Sequence, residues 1–153
     1  MNIQDLVSTG VSLQQIIKLR HRGLCTGKPL ESAYFEGDED PRTRHLAALR
    51  YGKGEAKLFA CVTLIWRPLG AEDAWFVCGL VTHEDFRRHG LGRYMLGYAE
   101  LVVRNARPIT PLLWCKARSQ NIGFYEKHGW KRASKKIQEK DAETHVMMKK
   151  RLD

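Results

Sequence analysis

The stretch Val81-Thr-His-Glu-Asp-Phe-Arg-Arg-His-Gly-Leu-Gly-Arg93 joins two glycines, Gly90 and Gly92, to three arginines, Arg87, Arg88 and Arg93. Those residue types at that spacing suit an anion. A glycine turn that opens a helix leaves backbone N–H groups without intrahelical partners, and the helix dipole adds partial positive charge there. The anion held by such a turn is most often a phosphate. Two elements must position it. The run Trp75-Phe-Val-Cys-Gly-Leu-Val81 enters the turn and reads as a buried strand. The segment leaving it places apolar residues at Leu91, Met95, Tyr98 and Val102, a helical spacing that predicts these four as the core stripe.

The rest of the chain sets limits on the chemistry. At 153 residues, 43% of them hydrophobic, the chain reads as one domain over 1–153 that buries a core without metal or disulfide staples. Cys25, Cys61, Cys78 and Cys115 are widely spaced, with no Cys-x-x-Cys pair and no histidine at ligand spacing. They predict buried reduced thiols and no metal site. Neither an N-terminal apolar leader nor a membrane-length apolar run is present, so the expectation is a cytoplasmic protein without a membrane partner. The net charge of +9 attracts polyanions, but much of the excess lies in Lys131-Arg132, Lys135-Lys136 and Lys149-Lys150-Arg151. Such a tail reads as a solvated face. A nucleic-acid module is the weaker alternative, because the aromatics are not interleaved with the basic residues as base stacking requires.

Ser12-Leu-Gln-Gln15 has the form of a capping box, which predicts a helix from Leu13 with a face of Leu13, Ile16, Ile17, Arg20 and Leu24. That face is apolar except at Arg20. Glu31 to Pro41 is acidic and aromatic and reads as a short helix or turn followed by an ordered loop. His45–Tyr51 and Ala56–Trp66 read as strands joined by a Gly52-Lys-Gly54 hairpin. A strand at Leu112–Ala117, a short helix at Asn121–His128 closed by Gly129, and strands at Trp130–Ala133 and Thr144–Lys150 complete the order, with 135–141 as the last connection. The strand–helix–strand unit from Trp75 to Ala117 requires a right-handed crossover and a parallel pair. The expected fold is therefore α/β, a mixed sheet with helices on its faces.

This order and these motifs resemble the GNAT superfamily of acetyl-CoA-dependent N-acetyltransferases. Arg87-Arg-His-Gly-Leu-Gly92 is similar to the family's Arg/Gln-x-x-Gly-x-Gly/Ala pyrophosphate loop. Asn121-Ile-Gly-Phe-Tyr-Glu-Lys-His-Gly-Trp130 is similar to its Asn-x-x-Ala-x-x-Phe-Tyr segment, with Gly123 near the usual small residue and Trp130 for the usual Phe. The resemblance implies a mostly antiparallel sheet splayed at a central parallel strand pair, and acetyl-CoA as co-substrate. It implies that Leu80 and Val81 line the splay and offer backbone to pantetheine. The backbone around Arg88, His89, Gly90, Leu91, Gly92 and Arg93, with the Arg87, Arg88 and Arg93 side chains, would hold the pyrophosphate. Asn121 and Phe124 would border the pantetheine arm, and Tyr125 would protonate the leaving thiolate after direct attack by a primary amine.

The acceptor is less specified: a small molecule or a peptide. Glu36 and Asp38, in the Glu36–Asp40 cluster, are candidates to neutralise a cationic amine, and a solvated loop is the equal alternative for that cluster. Glu84 and Asp85 lie beside the turn, a poor place for a base, and His45 and His83 read as structural. A CoA-binding sensor without turnover is the rival within the same fold, and dimers are common among the proteins it resembles.

Overall fold

Ser12 opens the first helix, α1 (Leu13–Leu24), by a reciprocal cap: its Oγ accepts the Gln15 N–H at 3.3 Å, and its own N–H donates to Gln15 Oε1 at 2.8 Å. In the computed structural model, which describes residues 2–138 and 143–153, this helix covers one face of a seven-stranded sheet. The strands are β1 (Val7–Gly10), β2 (Arg44–Tyr51), β3 (Ala56–Trp66), β4 (Trp75–Thr82), β5 (Leu112–Arg118), β6 (Lys131–Arg132) and β7 (His145–Arg151), in the order β1-β2-β3-β4-β5-β7-β6. β4 and β5 are the parallel pair, and the neighbouring pairs are antiparallel. The mixed α/β fold expected from the motif order is the fold observed.

The opposite face is covered by α2 (Leu91–Asn105) and the short α3 (Ile122–Lys127). α2 turns Leu91, Met95, Leu96, Ala99 and Val103 into the core against Val62, Val77 and Leu113. The stripe predicted from spacing is thus rotated: Tyr98 and Val102 are only half-buried. A helix lying on a sheet buries a broader and flatter face than a single row, and the small Ala99 faces the strands.

Two further differences have local causes. β1 was not expected, because four residues reading Val-Ser-Thr-Gly are too short to show a period; pairing with β2 on the sheet edge makes them a strand. Of the 135–141 connection, Ile137 forms a bridge to His145, and 139–141 lie outside the described residues. No described helix is long and apolar enough to cross a membrane.

The centre of the sheet carries the feature that matters. β4 and β5 register only as Trp75↔Leu113 and Phe76↔Trp114, and beyond these two pairs they part. On its other side β4 stays bonded to β3 but slips register between Cys61 and Thr63. Gly79 and Leu80 together stand opposite Val62, one residue more than the ladder needs, and Gly79 has φ +64°, a left-handed conformation that a side chain resists. The bulge bends β4 away from β5 and so opens the splay.

Candidate functional site

Where β4 and β5 part, a cleft of about 350 Å³ opens through the middle of the sheet. Phe76 to Leu80 of β4 form one wall, and Lys116 to Arg118 of β5 form the other. Asn121 and Tyr125 enter from the start of α3, Phe35 and Glu36 from the loop after α1, and Arg67 from the end of β3. From Val77 onward β4 has no strand on its β5 side, so that edge of its backbone is available to a bound molecule. Of the predicted strand residues, Leu80 lines the cleft, whereas the Val81 side chain is buried against α1.

At the C-terminal end of β4 the chain turns through a 3-10 segment, Glu84–Phe86, into the arginine–glycine stretch. Arg88 (φ +67°) and Gly90 (φ +77°) both adopt the left-handed conformation, and Gly90 is the N-cap of α2. Left-handed residues in such a turn gather backbone N–H groups into an anion-binding concavity, and strain at a non-glycine residue such as Arg88 concentrates at working sites. Tyr94 N–H is bonded to the Gly90 carbonyl at 3.0 Å, which leaves Leu91, Gly92 and Arg93 as the orphan donors of the first turn. Arg87, Arg88, His89 and Arg93 are exposed around it. The acid Glu84 is tied to Arg22, and this guanidinium holds its carboxyl below the ordinary glutamate value. Leu91 supplies backbone alone, its side chain being in the core.

Gly92 stands beside the Phe124 ring, and Phe124 packs edge-on against Tyr125 at 5.2 Å between centroids. The ring therefore links the turn to the cleft. Tyr125 is 8% exposed, packs edge-on against Trp130 at 5.3 Å, and has its hydroxyl beside the Cys115 thiol. Burial pushes the Tyr125 hydroxyl well above the ordinary tyrosine value, and the same cause raises Cys115 to about 12. Both are protonated at neutral pH. Cys78, expected to be buried, is only half-buried on the cleft wall because the splay removes its neighbour on β5.

A buried polar network shapes the other side of the cleft. The lone charge on the apolar face of α1, Arg20, is 0% exposed and forks onto Asp38, Nη1 to Oδ2 at 2.7 Å and Nη2 to Oδ1 at 3.1 Å. It also donates to the Ala33 carbonyl at 2.9 Å and to Thr63 Oγ1 at 2.7 Å, and its guanidinium lies 4.1 Å from the centroid of the Phe35 ring. Asp38 further accepts the Phe35 N–H at 2.6 Å. His45 completes the set: Nδ1 lies 2.9 Å from Thr63 Oγ1, and Nε2 lies 3.0 Å from the Asp38 carbonyl, which fits a neutral Nε2–H tautomer. Desolvation lowers the His45 pKa.

The two acidic candidates therefore separate. Glu36 lines the cleft, while Asp38 is buried with both carboxylate oxygens engaged, and it holds the loop instead of a ligand. Arg67, Phe35 and Lys116 line the cleft without having been singled out from sequence. They reach it from β3, from a loop and from β5, and no local motif marks such a convergence. The one available signal was Arg20, a charge placed where its helix needed an apolar residue.

The comparisons with known proteins agree with this geometry. The family model for the acetyltransferase (GNAT) domain matches residues 44–132, which span the hairpin, β4, the glycine turn, β5 and α3. The chain is 26% identical over 143 residues to the uncharacterized N-acetyltransferase YitI of Bacillus subtilis (strain 168), covering 93% of each protein. An acyl-CoA N-acyltransferase from Pseudomonas aeruginosa has the same fold, with TM-score 0.68, 19% identity, and coverage of 94% of this chain and 98% of that one. So does an aminoglycoside 6'-N-acetyltransferase complexed with coenzyme A, with TM-score 0.71, 16% identity, and coverage of 96% and 97%. This chain belongs to the GNAT acetyltransferase family and is an acyl-CoA N-acyltransferase.

Proposed function

We propose that the chain moves an acetyl group from acetyl-CoA to a primary amine, by direct attack while both are bound, with Tyr125 as the general acid. The observation that carries this reading is the juxtaposition along one strand: an open β4 edge from Val77 to Leu80, an anion-binding turn at its C-terminal end, and Tyr125 on the cleft wall between them. Acetyl-CoA supplies a thioester whose carbonyl carbon accepts the neutral amine nitrogen as the carbon–sulfur bond breaks; the thiolate takes the Tyr125 proton, and the proton lost by the amine nitrogen passes through solvent to restore the tyrosine. The Leu91, Gly92 and Arg93 N–H groups and the exposed arginines fit its phosphates. The free backbone of Val77 to Leu80 fits the amide-bearing arm, and Asn121 borders it.

Tyr125 keeps its proton across neutral pH because burial disfavours the phenolate. It yields that proton to a strong base formed beside it, the thiolate released on the cleft wall. The continuous sheet supports treating 1–153 as one acetyltransferase domain, and four free cysteines suit the reducing cytoplasm. Free-thiol release from acetyl-CoA over a panel of amines tests the reading. Tyr125→Phe should lower kcat about a hundredfold, within the usual range for a lost general acid, with acetyl-CoA affinity retained. Unchanged kcat removes Tyr125 from the chemistry.

A further inference from the structure

We infer that the acceptor is a zwitterion, an amine that also carries a carboxylate, and that Arg67 reads the carboxylate. The inference rests on the acetyl-transfer reading above and concerns which amine is taken. Arg67 is held from three sides. Its N–H donates to the Ala74 carbonyl at 3.1 Å, its carbonyl accepts Trp114 Nε1–H at 2.9 Å, and its Nη2 donates to the Glu36 carbonyl at 2.9 Å. The guanidinium lies 4.9 Å from the Phe76 ring centroid on the cleft wall. It is half-buried, yet no carboxylate among the described residues pairs with it. Arg118, by contrast, has Glu143 at 3.6 Å.

Glu36 is the carboxylate lining the cleft, and it too has no ion-pair partner among the described residues. Arg67 bonds the Glu36 backbone and not its side chain, so the two charges face the same cleft without neutralising each other. Of the acids that follow in the same loop, Asp38 is committed to Arg20 and Asp40 to Arg42. A partly desolvated, immobilised guanidinium left unpaired is unfavourable, and its planar fork matches a carboxylate. Coenzyme A phosphates cannot be its partner in this arrangement. Arg67 stacks on Phe76, and the phosphate turn begins beyond Thr82, roughly 20 Å away along an extended strand. The charge that remains is one on the acceptor, with its ammonium toward Glu36.

The test is thiol release from acetyl-CoA with matched acceptors: α-amino acids, the same compounds as carboxamides, and the amines left when the carboxylate is removed. For the wild-type protein, kcat/KM should favour the best carboxylate acceptor over its two analogues by about ten- to hundredfold, the range of a hydrogen bond to a charged group. Arg67→Gln should collapse that ratio to within about threefold, mainly through KM, with acetyl-CoA affinity unchanged; Arg67→Lys should fall between, retaining charge without the fork. Equal wild-type turnover of all three acceptor types overturns the assignment and leaves acetyl transfer standing. So does a ratio that survives in both variants. Absence of transfer to every amine, despite acetyl-CoA binding, overturns acetyl transfer and the assignment with it.

Discussion

The two ends of β4 are built in opposite ways. At its C-terminal end the proposed anion site is local: Arg87 to Arg93 are consecutive, exposed except at Leu91 and Gly92, and shaped by backbone geometry at Arg88 and Gly90. Near its N-terminal half the proposed acceptor side is assembled from distant segments. Arg20 of α1, Asp38 of the following loop, Thr63 of β3 and His45 of β2 meet in one buried network, and its product is the placement of Phe35 and Glu36. A backbone cradle tolerates varied side chains and would grip what all coenzyme A thioesters share. A side-chain network is specific, and its failure is costly.

That contrast predicts where damage is greatest. Arg20→Met leaves Asp38 buried and uncompensated, and should cost about 3–5 kcal/mol of stability in urea unfolding. Arg20→Met with Asp38→Leu should recover most of that loss, since a buried pair replaced by apolar residues of similar size is often neutral. The double variant should bind acetyl-CoA normally but show a raised acceptor KM, because nothing then pins the Phe35 N–H. Were acetyl-CoA affinity to fall as much as acceptor affinity, the two ends would not be separable.

A smaller effect follows from His45. Its folded pKa is lowered from 6.5 by desolvation, so below about pH 6.5 the unfolded chain binds a proton that the folded chain refuses. The associated stability is present above that pH and is lost as pH falls toward the folded value. Melting temperature should therefore decline below pH 6.5, and His45→Gln should flatten the decline relative to wild type. An unchanged slope would place the responsible protonation elsewhere.

The same contrast explains what could be read from sequence. The turn and Asn121–Trp130 are short contiguous signals, since backbone conformation and neighbouring side chains decide them; both motifs lie where expected, and Tyr125 lines the cleft. The role of Asp38 was not legible, because its partner Arg20 is eighteen residues away and joined to it only by the fold. Arg67 was silent for the same reason: Trp114, Phe76 and Glu36, which fix it, lie on three other segments. The bulge at Gly79 was present in the sequence as a glycine within an apolar strand, but nothing local says which neighbouring strand slips.

The unpaired edge of β4 and the turn beyond it are proposed to hold acetyl-CoA together. Residue-resolved amide hydrogen exchange, with and without saturating acetyl-CoA, measures this directly. Protection should rise in two patches, within Val77 to Leu80 and across Arg88 to Arg93, while the β2–β3 hairpin exchanges as before. Unchanged exchange in both patches under saturating ligand would contradict the account.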